Sequence, residues 1–229
     1  WAGMKRTKEE FKTSFRHRTF GASFESEDYA FIDALDKPVA LWTNVLLEEG
    51  IHRNSLVHRE NVIEQHVMDL PDFNDKGAWA EKYADRLENI SEQSENLEEV
   101  KKILAKLKSQ DATNQYTIAI YEQVGALVEY NFKALKKIEA FDLAITADEE
   151  IKILFELQEL IQKFGTFRQE FEKVYSQSRI LNKPENYILD QDHHNHPANQ
   201  SVNFDWQFIS EILFLEKVNT HFKTKTVWQ

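Results

Sequence analysis

The chain has 229 residues, 41% apolar and 29% charged, with a formal net charge of -11 and no cysteine. That composition describes a globular protein large enough for one or two domains with a real core. The acidity argues against nucleic acid and against an anionic membrane surface, and the missing cysteine excludes disulfides, thiolate metal sites and a cysteine nucleophile. No apolar run reaches the ~18 residues of a membrane span. The chain begins at Trp1, its first methionine is Met4, and no signal-peptide pattern opens it. The expectation is an internal or C-terminal piece of a longer protein.

In chain order, Thr7-Lys8-Glu9-Glu10 forms a capping box, and Phe11, Phe15 and Phe20 follow at helical spacing until Gly21. A short helix is expected over Glu27 to Leu35. A second runs from Pro38 through Leu41, Trp42, Val45 and Leu46 to Gly50, and a third over His52 to Met68. Leu70-Pro71-Asp72-Phe73-Asn74-Asp75 reads as a turn.

Between Pro71 and Pro184 there is no proline, and the glycines are Gly77, Gly125 and Gly165. Breaker-free sequence of that length, against a mean helix of roughly 11–12 residues, predicts long helices packed side by side. The first is expected over Gly77 to Lys108, with Tyr83, Leu87, Ile90, Leu97, Leu104 and Leu107 on one stripe that Ser94 interrupts. Asp111 caps a second, reaching Ile145, with Ile120, Val124, Leu127, Leu135 and Ile138 inward. Thr146-Ala147-Asp148-Glu149 is a second capping box, opening a third helix to about Asn182 with Leu154, Leu157, Ile161, Phe164, Phe167, Phe171 and Val174. After a polar loop, Asn203 caps a last helix, Phe204 to Phe222, with Phe208, Ile212, Leu215 and Phe222 inward. The predicted fold is all-α: an up-down bundle of three long helices plus a C-terminal helix, preceded by shorter helices. Residues 1–75 and 76–229 are the expected units.

Candidate chemistry is sparse. Asp190, Asp192, His193, His194 and His196 are the densest set of metal-ligating types, but their spacing fits no standard ligand pattern. Bonding to loop backbone is the simpler account, leaving His193, His194 and His196 as metal candidates and no cofactor called for. A di-iron bundle needs two Glu-x-x-His motifs. Glu49-Gly50-Ile51-His52 is the one match, and its glycine falls where a helix ends. Asp148-Glu149 suits a helix N-terminus better than hydrolysis. His58 and His66 lack partners in the pattern. Trp1, Trp79, Trp206 and Trp228 are less clearly placed by the helical pattern.

Two stretches carry a family resemblance. Trp1-Ala2-Gly3, Lys5 to Phe11 and Arg18-Thr19-Phe20-Gly21 resemble the last strand-to-helix segment of a sugar-hydrolase barrel in bacterial beta-N-acetylhexosaminidase-like proteins of glycoside hydrolase family twenty. Asn182-Lys183-Pro184, Tyr187, Asp192 to His196, Ala198-Asn199-Gln200 and Asp205-Trp206 are similar to the helical region after the barrel. The resemblance implies a non-catalytic C-terminal domain of a hydrolase acting on N-acetylhexosaminides. It further implies Trp1 lining the sugar site, the preceding catalytic barrel of the same chain as partner, a possible homodimer, and a periplasmic or secreted location. The family's catalytic Asp-Glu pair lies on an earlier strand, and Asp148-Glu149 does not match it. A helical interaction module unrelated to hydrolysis and a metal-binding bundle enzyme are the alternatives.

Overall fold

The computed structural model describes residues 6–21, 45–48, 66–109, 115–177, 208–223 and 225. Among them lie six helices and no strand: α1 (Lys8–Phe20), α2 (Ala78–Lys82), α3 (Ala84–Ser109), α4 (Gln115–Leu143), α5 (Ala147–Tyr175) and α6 (Ile209–Phe222). The fold is an all-α bundle, as the breaker-free run predicts. The expected helix over Glu27 to Leu35, Trp1, the Asp190 to Gln200 loop and Asn203 lie outside the described residues.

Both capping boxes form. Thr7 accepts the Glu10 amide at 3.2 Å, and Glu10 accepts the Thr7 amide at 2.8 Å. Thr146 and Glu149 repeat the exchange at 3.3 and 3.1 Å, and Glu149 also accepts the amide of Ile145. These bonds satisfy backbone donors that the first helical turn leaves without intrahelical partners.

α3, α4 and α5 run antiparallel. Lys108 pairs with Glu122 and Lys101 with Glu129, both at 2.9 Å, so seven residues back along α3 matches seven forward along α4. Between α4 and α5, Tyr116 donates to the carbonyl of Tyr175 and Tyr130 to that of Leu160, and Lys137 pairs with Glu156. α6 runs alongside α4 in the same direction. Its start meets α4 at Asn131, and its end meets α4 at Phe141, where the Phe141 and Phe222 rings lie 4.8 Å apart.

The core is built from Leu87, Ile90 and Leu97 of α3, Leu127, Val128, Phe132, Leu135, Ile138 and Phe141 of α4, Leu154, Leu157 and Phe164 of α5, and Phe214, Val218 and Phe222 of α6. Val45, Leu46, Leu47, Val67 and Met68 join the same cluster.

The sequence reading is corrected in five places. α5 ends at Tyr175 in a turn at Ser176 and Gln177, short of the expected Asn182. α6 begins at Ile209 rather than Phe204, because Phe208 takes a left-handed conformation (φ 49, ψ 41) that a helix cannot run through. The helix expected over Gly77 to Lys108 is broken at Tyr83 (φ -109, ψ 20), separating α2 from α3. Where helices were expected to end, at Leu46 to Glu48 and at Val67 to Met68, the chain instead forms an isolated antiparallel bridge, Leu47 to Val67. The Glu48 amide donates to the His66 carbonyl at 2.8 Å and the Met68 amide to the Leu46 carbonyl at 3.0 Å. On α4, Ile120 and Val124 are only half-buried. Ile118, Val128, Phe132 and Phe141 fill the core positions beside Leu127, Leu135 and Ile138, a face rotated from the expected one.

Candidate functional site

The densest cluster of ionisable groups among the described residues surrounds that bridge: Glu48, Asp69, Lys82, Tyr83 and Lys217. The break at Tyr83 turns a buried ring toward the bridge. Its hydroxyl donates to Glu48 Oε1 at 2.6 Å and accepts the Asp69 amide at 3.1 Å, while Glu48 Oε1 also accepts that amide at 3.0 Å. Trp79, one turn earlier on α2, packs 5.1 Å from the Tyr83 ring and donates its indole N–H to the Asp69 carbonyl at 2.7 Å.

Two lysines close the cluster. Lys82 reaches Asp69 Oδ2 at 2.9 Å and Glu48 Oε1 at 3.6 Å. Lys217, from α6, donates to the carbonyls of Val67 and Met68 at 3.0 and 2.9 Å and to Asp69 Oδ1 at 3.3 Å. On the other side Arg86 donates to the carbonyls of Val45 and Leu47. Cations thus satisfy the outward-facing carbonyls that a two-stranded bridge leaves without a neighbour.

The electrostatics follow from the pairing. The Lys82 ammonium, and then Lys217, hold the Asp69 carboxyl below its ordinary range against a smaller cost of burial. Asp69 in turn raises Lys82, with Tyr83 and Glu48 adding to the effect. Burial pushes the Tyr83 phenol up, and its bond to the Glu48 carboxylate pushes it further. Each shift carries its group away from neutrality. A general acid or base works best with a pKa near ambient pH, so this arrangement suits holding charge in place rather than moving protons.

A second polar cluster sits at the end of the bundle where α4 turns into α5. Lys76 pairs with Glu150 at 2.8 Å and donates to the Phe141 carbonyl at 2.9 Å, and Lys225 pairs with Glu150 at 3.3 Å. Beneath them Lys76 lies 4.1 Å from the Phe141 ring centroid and Lys225 4.4 Å from that of Phe73. Burial raises the Glu150 carboxyl, but the two lysines outweigh it and leave it lowered. Asp142, buried nearby, accepts the Ala80 amide at 2.9 Å and joins α4 to α2. Inside the bundle, buried Asn131 donates to buried Glu211 at 3.4 Å.

Most of the residues that the sequence singles out for chemistry fall outside what the structure describes. Trp1, Glu49, His52, His58 and the metal candidates His193, His194 and His196 all lie outside the described residues. Among the described residues no group of three or more His, Asp or Glu side chains is arranged to hold a metal ion, and no helix is long and apolar enough to cross a membrane. Asp148-Glu149 sits at the first turn of α5, with Glu149 completing the capping box. Trp79 is buried and bonded. His66 contributes its backbone carbonyl to the bridge.

The sequence reading missed Glu48, Asp69, Lys82 and Lys217. No local motif marks them, since they converge from segments far apart in the chain. Comparison with protein-family models, with curated proteins and with solved structures finds no match.

Proposed function

We propose that this chain is a non-catalytic helical domain whose role is structural: to pack against, or present a surface to, another protein body. The observation that carries this reading is the state of its densest ionisable cluster. Asp69 is pushed down, Lys82 and Tyr83 are pushed up, and Lys217 and Trp79 are engaged by backbone carbonyls of residues 67–69. The energy of these contacts goes into fixing backbone segments onto the bundle.

The resemblance carried by residues 1–21 and 182–206 supports a narrower form of the proposal. In it the domain follows the catalytic barrel of a bacterial glycoside hydrolase acting on N-acetylhexosaminides. The barrel is its partner in the same chain, Trp1 borders the sugar site, and the parent is periplasmic or secreted. The test is an assay of the purified chain on a chromogenic N-acetylglucosaminide. No turnover is expected, and robust hydrolysis would overturn the non-catalytic reading. The sequence upstream of Trp1 tests the narrower form: barrel strands bearing an Asp-Glu pair support it, and a start codon close by overturns it.

A further inference from the structure

α5 is the outer helix of the row α3, α4, α5. It turns Leu154, Leu157 and Phe164 into the core, and Tyr130 of α4 donates to its Leu160 carbonyl at 2.9 Å. The opposite face carries Asp148, Ile151, Lys152, Phe155, Glu159 and Lys163, all exposed. Ile151 and Phe155 lie one turn apart and are 37% and 47% exposed, and Ile145, just before α5, is 94% exposed. Apolar side chains of this size on an open helix face mark a contact surface.

The charges on that face are ordered about Phe155. At a rise of about 1.5 Å per residue, Lys152 lies ~4.5 Å before Phe155 and Glu159 ~6 Å after it, while Asp148 lies ~10 Å before and Lys163 ~12 Å after. At about 3.6 residues per turn all four fall within ~80° of Phe155 on one side of it, and Ile151 falls on the other. Each charge therefore has one of opposite sign at nearly the same distance on the far side of Phe155. Within the chain Lys163 lies 3.9 Å from Glu159, both side chains largely exposed, and Glu156, one turn on from Lys152, is paired with Lys137. An exposed pair such as Lys163–Glu159 holds weakly, so its members can still meet charges on another molecule.

We propose that two copies of this chain associate through α5, antiparallel, about a two-fold axis at Phe155. The occupant follows from self-complementarity. A two-fold perpendicular to the helices keeps each residue on its own side of the contact and inverts its position along the helix. Lys152 then meets Glu159 of the second copy, Asp148 meets its Lys163, and Phe155 packs on its own counterpart with Ile151 beside it. Parallel pairing would set the charged side of one helix against the Ile151 side of the other, so charge matches charge in the antiparallel arrangement. The contact uses one patch twice and closes at the dimer, and a single helix stripe makes it small and reversible. It rests on the reading of this chain as a body that presents a surface to another protein, but its failure registers in molecular mass and that of the non-catalytic reading in turnover.

Sedimentation equilibrium of the purified chain over a wide concentration range tests it. The expected result is a mass that rises with concentration from 27.0 kDa towards twice that value and no further. Phe155→Asp should return the chain to monomer, with helicity retained by circular dichroism. Lys152→Glu should weaken association by ~10-fold or more, because it faces Glu159 of the second copy with a like charge. Adding Glu159→Lys to the same chain should restore it, since the swapped pair meets again across the two-fold. A chain that stays monomeric, a mass that grows past the dimer, association that survives Phe155→Asp, or a charge swap that fails to restore it overturns the proposal.

Discussion

Replacing Lys217 with methionine isolates one long-range polar tie of the fold. Methionine keeps most of the aliphatic stem and removes the ammonium that caps the Val67 and Met68 carbonyls. Val67 and Met68 are buried residues. A buried acceptor left unsatisfied costs about 1–3 kcal/mol. The Lys217 side chain is 36% exposed, so water reaches part of the site and the lower figure applies to each carbonyl. The Asp69 contact, at 3.3 Å to a carboxylate 63% exposed, adds about 0–1 kcal/mol. The expected loss is therefore ~2 kcal/mol, read as a lower urea midpoint with an unchanged slope. Amide exchange supplies a local reading. The Met68 and Glu48 amides, which close the bridge to Leu46 and His66, should exchange ~30-fold faster, since each 1.4 kcal/mol is a factor of ten. Asp69→Asn should cost less than half as much, because it removes the ion pair and leaves the carbonyls capped. A shift below ~0.5 kcal/mol for Lys217→Met, or equal losses for the two variants, would refute the assignment of the energy to the carbonyls.

The glycines separate by backbone conformation. Gly165→Ala, with nothing within 4 Å of the added Cβ, should stabilise by ~0.5–1 kcal/mol in urea titrations, whereas Gly77→Ala, at φ +85, should destabilise by roughly 1–2 kcal/mol. Thr146→Ala removes the acceptor that caps α5 and should cost about 1 kcal/mol by thermal or chemical melting. Burial holds His221 below its usual 6.5, with Lys217 and Lys225 adding to the shift and Pro71 and Asp72 opposing it. The unfolded chain therefore binds that proton first, so stability should fall as pH drops below 6.5 towards the lower folded value. Carboxylate loss follows at more acid pH, as Asp69, Glu129 and Glu150, all lowered, begin to protonate. Urea midpoints for wild type and His221→Gln between pH 8 and 5 check this, and parallel profiles would count against it.

What was legible in the sequence is what is local. A capping box needs residues three apart, and both boxes appear where Thr7 and Thr146 announce them. The stripe of α3 follows from the 3.6-residue period, and Ser94 sits within it because its hydroxyl donates back to the Ile90 carbonyl at 2.7 Å. The break at Tyr83 was not legible, since no glycine or proline marks it. It lies where the phenol meets Glu48, 35 positions away. Lys217 was not legible for the same reason: on α6 it resembles any surface lysine, and its partners are about 150 residues earlier. No local signal pointed to the bridge at Leu47 and Val67, whose carbonyls are held by side chains of two distant helices.

The start of α6 shows which force wins where local and tertiary preferences conflict. A good N-cap is an extended Ser, Thr, Asp or Asn whose side chain accepts an amide. At Phe208 the cap is an aromatic residue in the left-handed region, φ 49 and ψ 41, with no side-chain cap bond. That conformation costs about 1–2 kcal/mol for a residue with a Cβ. The ring is fully buried, edge-on to Phe164, Phe167 and Phe171 at 6.0, 6.3 and 5.5 Å, with the Arg168 guanidinium 5.7 Å from its centroid. Burying a phenylalanine returns about 1.5–3 kcal/mol, and each favourable aromatic pair adds ~0.5–1.5 kcal/mol. The aromatic box therefore outweighs both the strain and the missing cap. It fixes the start of α6, and with it the line along which the same helix carries Lys217 to the bridge. Aromatic packing at one end of α6 and carbonyl capping near the other are thus coupled through a single rigid element, which keeps distant segments of the chain in register.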